Sequence, residues 1–421
     1  MKFDVQIDRH LIRAWARGDR YILVHLTAPI GDRARERPPV NIALVLDRSG
    51  SMSGRKIELV RKAAAQVIQS LSERDRFALV VYDNEIDIVA ESQFATPDVK
   101  RYALERLRTI DARGTTALAE GWLRGGEQVA LTKDERFINR VLLLTDGLAN
   151  VGITDPDQLE HHARELHHRG IQTTTFGVGA DFDEALLERM ALAGGGNFYF
   201  IERAEQIPDL LTSELGEILE VVARDVVIEV EAPSDAVVRA LSEAREEPRD
   251  GTWRFGMGDL VSGQEMDVVL HVNFPLGKPG EAVGARISVR DREGAVVGGE
   301  AISWQYADHP ENDRQPRNRV VDRRVARLYA SRARREALQL NRMGRFDEAT
   351  SLIERVRRRI ESYAGDDPEL RGIVEELRTD FADYGALLPI FERKSRYYFA
   401  SNLLRNRDVL GKAWREKSPR Q

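Results

Sequence analysis

Asp47-Arg48-Ser49-Gly50-Ser51-Met52 decides the fold. It follows the apolar run Asn41-Ile42-Ala43-Leu44-Val45-Leu46, which predicts a strand covered on both faces. Beyond it, Ile57, Val60, Ala64, Val67 and Leu71 recur at three- and four-residue spacing, which predicts a helix with one apolar stripe. A carboxylate and two hydroxyls at i, i+2 and i+4 therefore sit on a tight turn at the carboxyl end of a buried strand. In an open parallel sheet that is where ligands bind. All three side chains are hard oxygen donors, suited to Mg²⁺ or Mn²⁺ rather than zinc.

Strands alternate with helices from about Pro38 to Val222. Strands are predicted at 41–46, 76–82, 85–90, 140–145, 172–178 and 197–201, and Asp183 stands where it would cap a helix. The alternation predicts a doubly wound parallel sheet. The two-residue link Asp83-Asn84 predicts that 85–90 returns antiparallel at the edge. Two later segments bear on the same site. Gly114-Thr115-Thr116-Ala117-Leu118 opens a helical pattern, and Thr145-Asp146-Gly147 ends a strand expected beside 41–46. Asp47 and Asp146 would then repel each other unless a cation or proton lay between them.

The five positions Asp47, Ser49, Ser51, Thr115 and Asp146 resemble the metal-ion-dependent adhesion site of the von Willebrand factor A family. That pattern is Asp-x-Ser-x-Ser, then a distant Thr, then a distant Asp. The resemblance covers about Pro38–Val222. It implies that Ser49, Ser51 and Thr115 ligate a divalent ion, Mg²⁺ or alternatively Mn²⁺ or Ca²⁺, through their hydroxyls, and that Asp47 and Asp146 act mostly through water. Thr116 is an alternative to Thr115, because the Thr-Thr pair leaves the match ambiguous by one residue. The implied activity is non-enzymatic: a protein partner supplies an Asp or Glu to the ion's open position.

Past Val222 the texture changes. Short alternating segments at 225–232, 252–255, 265–274, 283–292 and 295–304 predict a β-sandwich, with turns expected at 256–259 and 275–280. The segments 3–8 and 21–28 also alternate and are expected to pair into it. The expected fold class is α/β: a doubly wound, Rossmann-like domain (38–222) inserted in a β-sandwich (1–37 and 223–307). A polar linker (308–318) and a C-terminal α-helical domain (319–421) follow. This order is similar to bacterial proteins related to the inter-α-trypsin inhibitor heavy chains and calcium-activated chloride channel subunits.

Composition narrows the function classes. Without cysteine there is no disulfide, thiol nucleophile or Cys-zinc site. No apolar run reaches eighteen residues, so no transmembrane helix is expected. The acidic residues among Met1–Asp8 do not suit a secretory leader, and a cytoplasmic location is expected. The net charge of −6 hides a basic segment: 15 arginines against 6 acids between Asp313 and Ile360. That segment supports an alternative reading as a nucleic-acid-binding surface, although no aromatic stacking pattern accompanies it. His161, Glu165 and His168 share a helix face and read as its polar exterior. The glycines at 177–179 and 194–196 complete no dinucleotide motif. No general base stands near the Ser49–Ser51 turn in sequence, which counts against a hydrolase.

Overall fold

Three strands open the chain: β1 (Lys2–Ile7), β2 (Leu11–Arg13) and β3 (Gly18–Thr27). They belong to one compact unit, Met1–Gly31 with Val222–Gln421; a second unit, Asp32–Val221, is inserted between the two pieces. The computed structural model describes residues 1–31, 37–249, 252–294 and 296–415.

In the inserted unit, β4 (Val40–Asp47) is buried at every residue, as its unbroken apolar run requires. It leads into α1 (Arg55–Ser70), β5 (Arg76–Tyr82), β6 (Ile86–Phe94), α2 (Pro97–Leu107) and α3 (Leu118–Leu131). Then come β7 (Ile138–Thr145), α4 (Pro156–His168), β8 (Gln172–Val178), α5 (Glu184–Ala193), β9 (Gly195–Ile201) and α6 (Ile207–Leu219). The sheet order is β6-β5-β4-β7-β8-β9, parallel throughout except for the antiparallel edge strand β6. This is the doubly wound α/β sheet that the sequence predicts. From β4 the chain passes to β5 on one side and later to β7 on the other. The order therefore reverses between β4 and β7, the position where such sheets leave a crevice. α3 approaches that point closely because Gly121 and Gly125 have no side chain. A Cβ on Gly121 would come 2.4 Å from the Tyr82 ring, and one on Gly125 would come 2.2 Å from Val45 Cγ2.

The other unit continues with β10 (Val221–Glu231), β11 (Val237–Ala240), β12 (Arg245–Arg249), β13 (Thr252–Val261), β14 (Glu265–Phe274), β15 (Ala282–Arg290) and β16 (Val296–Ala307). Two sheets form, β1-β3-β14-β11 and β12-β13-β10-β15-β16-β2. Alternate residues of both face one core, including Ile22, Val24 and Leu26 of β3 with Val226, Ile228 and Val230 of β10. The chain leaves this unit at Gly31 and returns at Val222, and a Cβ on Gly31 would lie 3.2 Å from Val222 Cγ1.

Five helices complete the unit: α7 (His309–Arg314), α8 (Arg319–Arg342), α9 (Phe346–Ala364), α10 (Pro368–Asp383) and α11 (Ile390–Leu404). The sequence suggests a separate helical domain, yet these helices and the sandwich lie in one compact unit. The reason is the outer face of β3 and β14. Tyr21, Leu23 and Val269 point away from the sandwich core and are buried with Val321, Val325 and Leu328 of α8.

Other departures have local causes. Residues 256–259 are not a turn but lie within β13, and the chain reverses at Ser262-Gly263 instead, where Gly263 has φ +67°. The polar linker contains α7, capped by the Asp308 side chain, which accepts the Glu311 amide at 2.8 Å. The strands 11–13, 237–240 and 245–249 and the helix 97–107 were not expected. The first three are too short, or too charged, to show a period. Ala295, where one expected strand begins, lies outside the described residues. No helix among the described residues is long and apolar enough to cross a membrane.

Candidate metal centre

β4 and β7 run side by side, with Leu46 opposite Leu144, so Asp47 and Asp146 leave adjacent strands at the same end of the sheet. Both carboxylates are fully buried. Asp47 Oδ1 accepts the Ser49 amide at 2.7 Å, and Oδ2 accepts the Thr145 hydroxyl at 2.6 Å. The Ser49 and Ser51 hydroxyls lie 3.1 Å apart, and Ser51 Oγ donates to Asp146 Oδ1 at 2.6 Å. The serine turn therefore joins the two carboxylates, by the Ser49 amide on the Asp47 side and by the two hydroxyls on the Asp146 side. At its far end the Lys56 ammonium, from the first turn of α1, donates to Asp146 Oδ2 and to the Ser51 carbonyl, the latter at 3.2 Å.

The electrostatics are those of two buried carboxylates with one ammonium beside them. Burial pushes the Asp47 carboxyl up to about 6; the Thr145 and Ser49 hydrogen bonds pull it back, and the Asp146 charge adds to the rise.

The loop that precedes α3 is pinned over this turn by three backbone bonds. The Arg113 amide donates to the Arg48 carbonyl at 2.7 Å, Gly50 to Gly114 at 3.1 Å, and Ala117 to Asp83 at 2.8 Å. The two threonines of the loop point differently. Thr115 is exposed, beside the Gly50–Gly114 bond. Thr116 is buried, and a Cβ on Gly147 would stand 3.0 Å from its Oγ1, which places Thr116 against the turn after Asp146.

Sequence reasoning missed the scaffold beneath the turn. Arg48, the variable residue between Asp47 and Ser49, is buried and donates to Asp83 Oδ2 at 3.1 Å and to Asp87 Oδ2 at 2.5 Å. Arg113 also donates to Asp83 Oδ2, at 2.7 Å, and the Glu85 amide donates to Oδ1 at 2.6 Å. Burial raises the Asp83 carboxyl, but the Glu85 amide and the two guanidiniums outweigh it and hold the group below its ordinary value. Asp83 is thus a structural anchor of the loop. Pairs 35 and 30 residues apart leave no periodic trace in sequence.

The donor set fits a hard divalent ion: carboxylates and neutral hydroxyls, with no nitrogen or sulfur. Among the described residues no three His, Cys, Asp or Glu side chains gather to hold a metal, which leaves the hydroxyls essential to any such site. It also leaves His161, Glu165 and His168 as an ordinary face of α4.

Residues 41–213 match the family described as von Willebrand factor type A domain. The uncharacterized protein YfbK of Escherichia coli (strain K12) is 31% identical over 205 residues, 47% of this chain and 35% of that protein. Human inter-alpha-trypsin inhibitor heavy chain H3 is 28% identical over 246 residues, 56% of this chain and 27% of the heavy chain. The chain thus spans about a third or less of the length of these two curated relatives. Its fold is like that of a solved von Willebrand factor type A protein from Catenulispora acidiphila, with a TM-score of 0.72 over 89% of each chain at 20% identity.

Proposed function

We propose, from the von Willebrand factor type A domain that this chain carries and its relation to the inter-alpha-trypsin inhibitor heavy chains, that it is a metal-dependent protein-interaction module and not an enzyme. Domains of this family commonly mediate such interactions. The observation that supports the reading most is the hydrogen-bonded turn from Asp47 through Ser49 and Ser51 to Asp146, with a cationic ammonium at its end. Ser49, Ser51 and Thr115 would hold Mg²⁺ through their hydroxyls, with Asp47 and Asp146 behind them. Held mostly by these neutral hydroxyls, such an ion would stay electrophilic enough to attract an Asp or Glu from a partner protein. The chain's own residues supply the rest. Arg48, Asp83 and Arg113 fix the loops, and the buried carboxylates orient the serine hydroxyls and amides. The test is capture of partners by the full chain in Mg²⁺ and in EDTA; capture that ignores the chelator ends the proposal.

The nucleic-acid alternative gains nothing from the fold. Much of the basic segment is spent on internal ion pairs: Arg317 with Asp322, Arg323 with Asp367, Arg334 with Asp380 and Arg335 with Glu243. A guanidinium held by a buried carboxylate is a poor phosphate tracker.

Two expectations follow from the electrostatics of the centre. Lys56 competes with a divalent ion for Asp146, so Lys56→Met should tighten Mg²⁺ binding several-fold in a calorimetric titration. Unchanged or weaker binding would remove Lys56 from the site. The second concerns pH. Because Asp47 keeps its proton in the folded chain up to about 6, against an ordinary 3.8, the folded state binds the extra proton between these values. Its stabilising contribution is present below about 4 and lost as pH rises through 6, a loss on the order of 3 kcal/mol. Metal-free protein should therefore melt lower at pH 7 than at pH 5, and Asp47→Asn should flatten that slope. A wild-type slope in the variant would assign the titration elsewhere.

A further inference from the structure

The unit formed by residues 1–31 and 222–421 has an open cavity of about 910 Å³. Among the described residues seven arginines line it, against two carboxylates, Asp19 and Asp313. Neither carboxylate is idle. Asp19 Oδ1 lies 2.7 Å from His271 Nε2 and 3.0 Å from Asn273 Nδ2. Asp313 accepts from the Arg13 guanidinium at 2.6 and 2.7 Å and from Asn312 Nδ2 at 2.9 Å. Arg9 and Arg317 are paired with the buried carboxylates of Asp8 and Asp322.

Arg17, Arg355 and Arg359 remain, and none of them forms an ion pair among the described residues. Arg355 and Arg359 are one helical turn apart on α9, so both present to the same wall. Arg359 is held over the Tyr329 ring, its Cζ 5.3 Å from the centroid, and the Tyr329 hydroxyl lies 2.9 Å from that of Tyr21. Stacking fixes a guanidinium without using up its N–H donors. Beneath them Arg20 is buried, donating to the Leu11 carbonyl and to Asn312 Oδ1, both at 2.7 Å. Burial, then the neighbouring charges of Arg9 and Arg317, pull its pKa down to about 10 in spite of Asp8 and Asp19. The wall is therefore more positive than its own carboxylates neutralise.

A concave site of this volume suits a small ligand rather than a polymer track. Forked guanidinium donors that share one concave wall and have no carboxylate paired to them match the geometry of phosphoryl oxygens, although the Arg359 charge is felt by Asp19. We propose that this cavity binds a small anion carrying two or more linked phosphoryl groups, gripped by Arg17, Arg355 and Arg359 against Tyr329. Two sources share that chemistry, a nucleoside di- or triphosphate and inorganic polyphosphate. None of the residues at the Asp47–Asp146 centre lines the cavity, and the proposal does not depend on that centre.

The test is isothermal titration of the full chain in EDTA and about 0.1 M salt, with tripolyphosphate, ATP and a polyglutamate peptide as probes. Tripolyphosphate should bind, and R355Q/R359Q should weaken it at least about tenfold, the loss expected for two charge-assisted contacts. Arg358→Gln is the control, because Arg358 lies on the same helix but is paired with Glu354 and absent from the wall. ATP binding tighter than tripolyphosphate would identify a nucleotide as the source, and equal or weaker binding would identify inorganic polyphosphate. The proposal is overturned if neither anion binds below millimolar concentration or if Arg358→Gln costs as much as the double variant. It is also overturned if polyglutamate binds as tightly as tripolyphosphate, since the surface would then be one for acidic protein segments. A melting curve of each variant keeps loss of fold from passing as loss of site.

Discussion

A chain lacking residues 1–30 should fail to form the sandwich unit, and its melting profile should lose that unit's transition. β3 is an interior strand, paired with β1 on one edge and with β14 over ten residues on the other. Its removal strips Ile22, Val24 and Leu26 from the core, and Ile12 of β2 goes with them; all four are fully buried. At about 1.5–3 kcal/mol for each such side chain, the loss is roughly 6–12 kcal/mol. That equals most or all of the net stability of a typical domain, about 5–15 kcal/mol. The deletion also bares the β14 edge and leaves Leu328 and Val321 of α8 without Tyr21 and Leu23. Calorimetry of the truncated and full chains decides the matter. An unchanged transition would mean that residues 222–421 form a complete core alone.

Asp47→Ala should abolish the response of the inserted unit to Mg²⁺ and, with it, chelator-sensitive partner capture. At about one hundred times its Kd, a ligand that binds only the folded state stabilises it by about 2.7 kcal/mol. For a unit of this size that corresponds to a rise in Tm of roughly 5–10 °C. The variant should show no such rise. It should still fold, because the Ser49 amide and Thr145 hydroxyl lose an acceptor while a costly buried charge also disappears. Thr115→Ala should lose most of the same response with almost no change in the metal-free Tm, since Thr115 is exposed. Thr116→Ala makes the comparison sharper. If Thr116 and not Thr115 carries the response, the ligand assignment moves by one residue. A wild-type Mg²⁺ shift in Asp47→Ala would falsify the metal centre altogether.

The inserted sheet was legible because several of its strands are buried on both faces and read as near-continuous apolar or β-branched runs; 76–82 and 172–178 match residue for residue. Its turn chemistry was equally plain, down to Asp183, whose carboxylate caps α5 by accepting from Ala185 and Leu186 at 2.9 and 3.1 Å. What could not be read was the side-chain pairing between distant loops. The Arg48–Asp83–Arg113 cluster has no spacing rule, and Thr115 and Thr116 differ only in which way the backbone turns them. Likewise α7 hides in a polar stretch because six residues that bury little beyond Asn312 need no apolar stripe. The arginines of the basic segment presented the opposite difficulty. Sequence shows their number but not which of them already have a carboxylate, and only the three-dimensional pairing separates spent guanidiniums from available ones.

The contact between Gly31 and Val222 has a consequence for how such a chain is put together. Where the two ends of an insert nearly touch, the host loses little more than a short loop's closure entropy by accepting it, whatever the insert's length. The six-stranded unit is therefore a cassette. It can be lengthened, exchanged or re-tuned at its oxygen-lined crevice while the flanking strands keep their register, so binding specificity and scaffold stability are free to change independently.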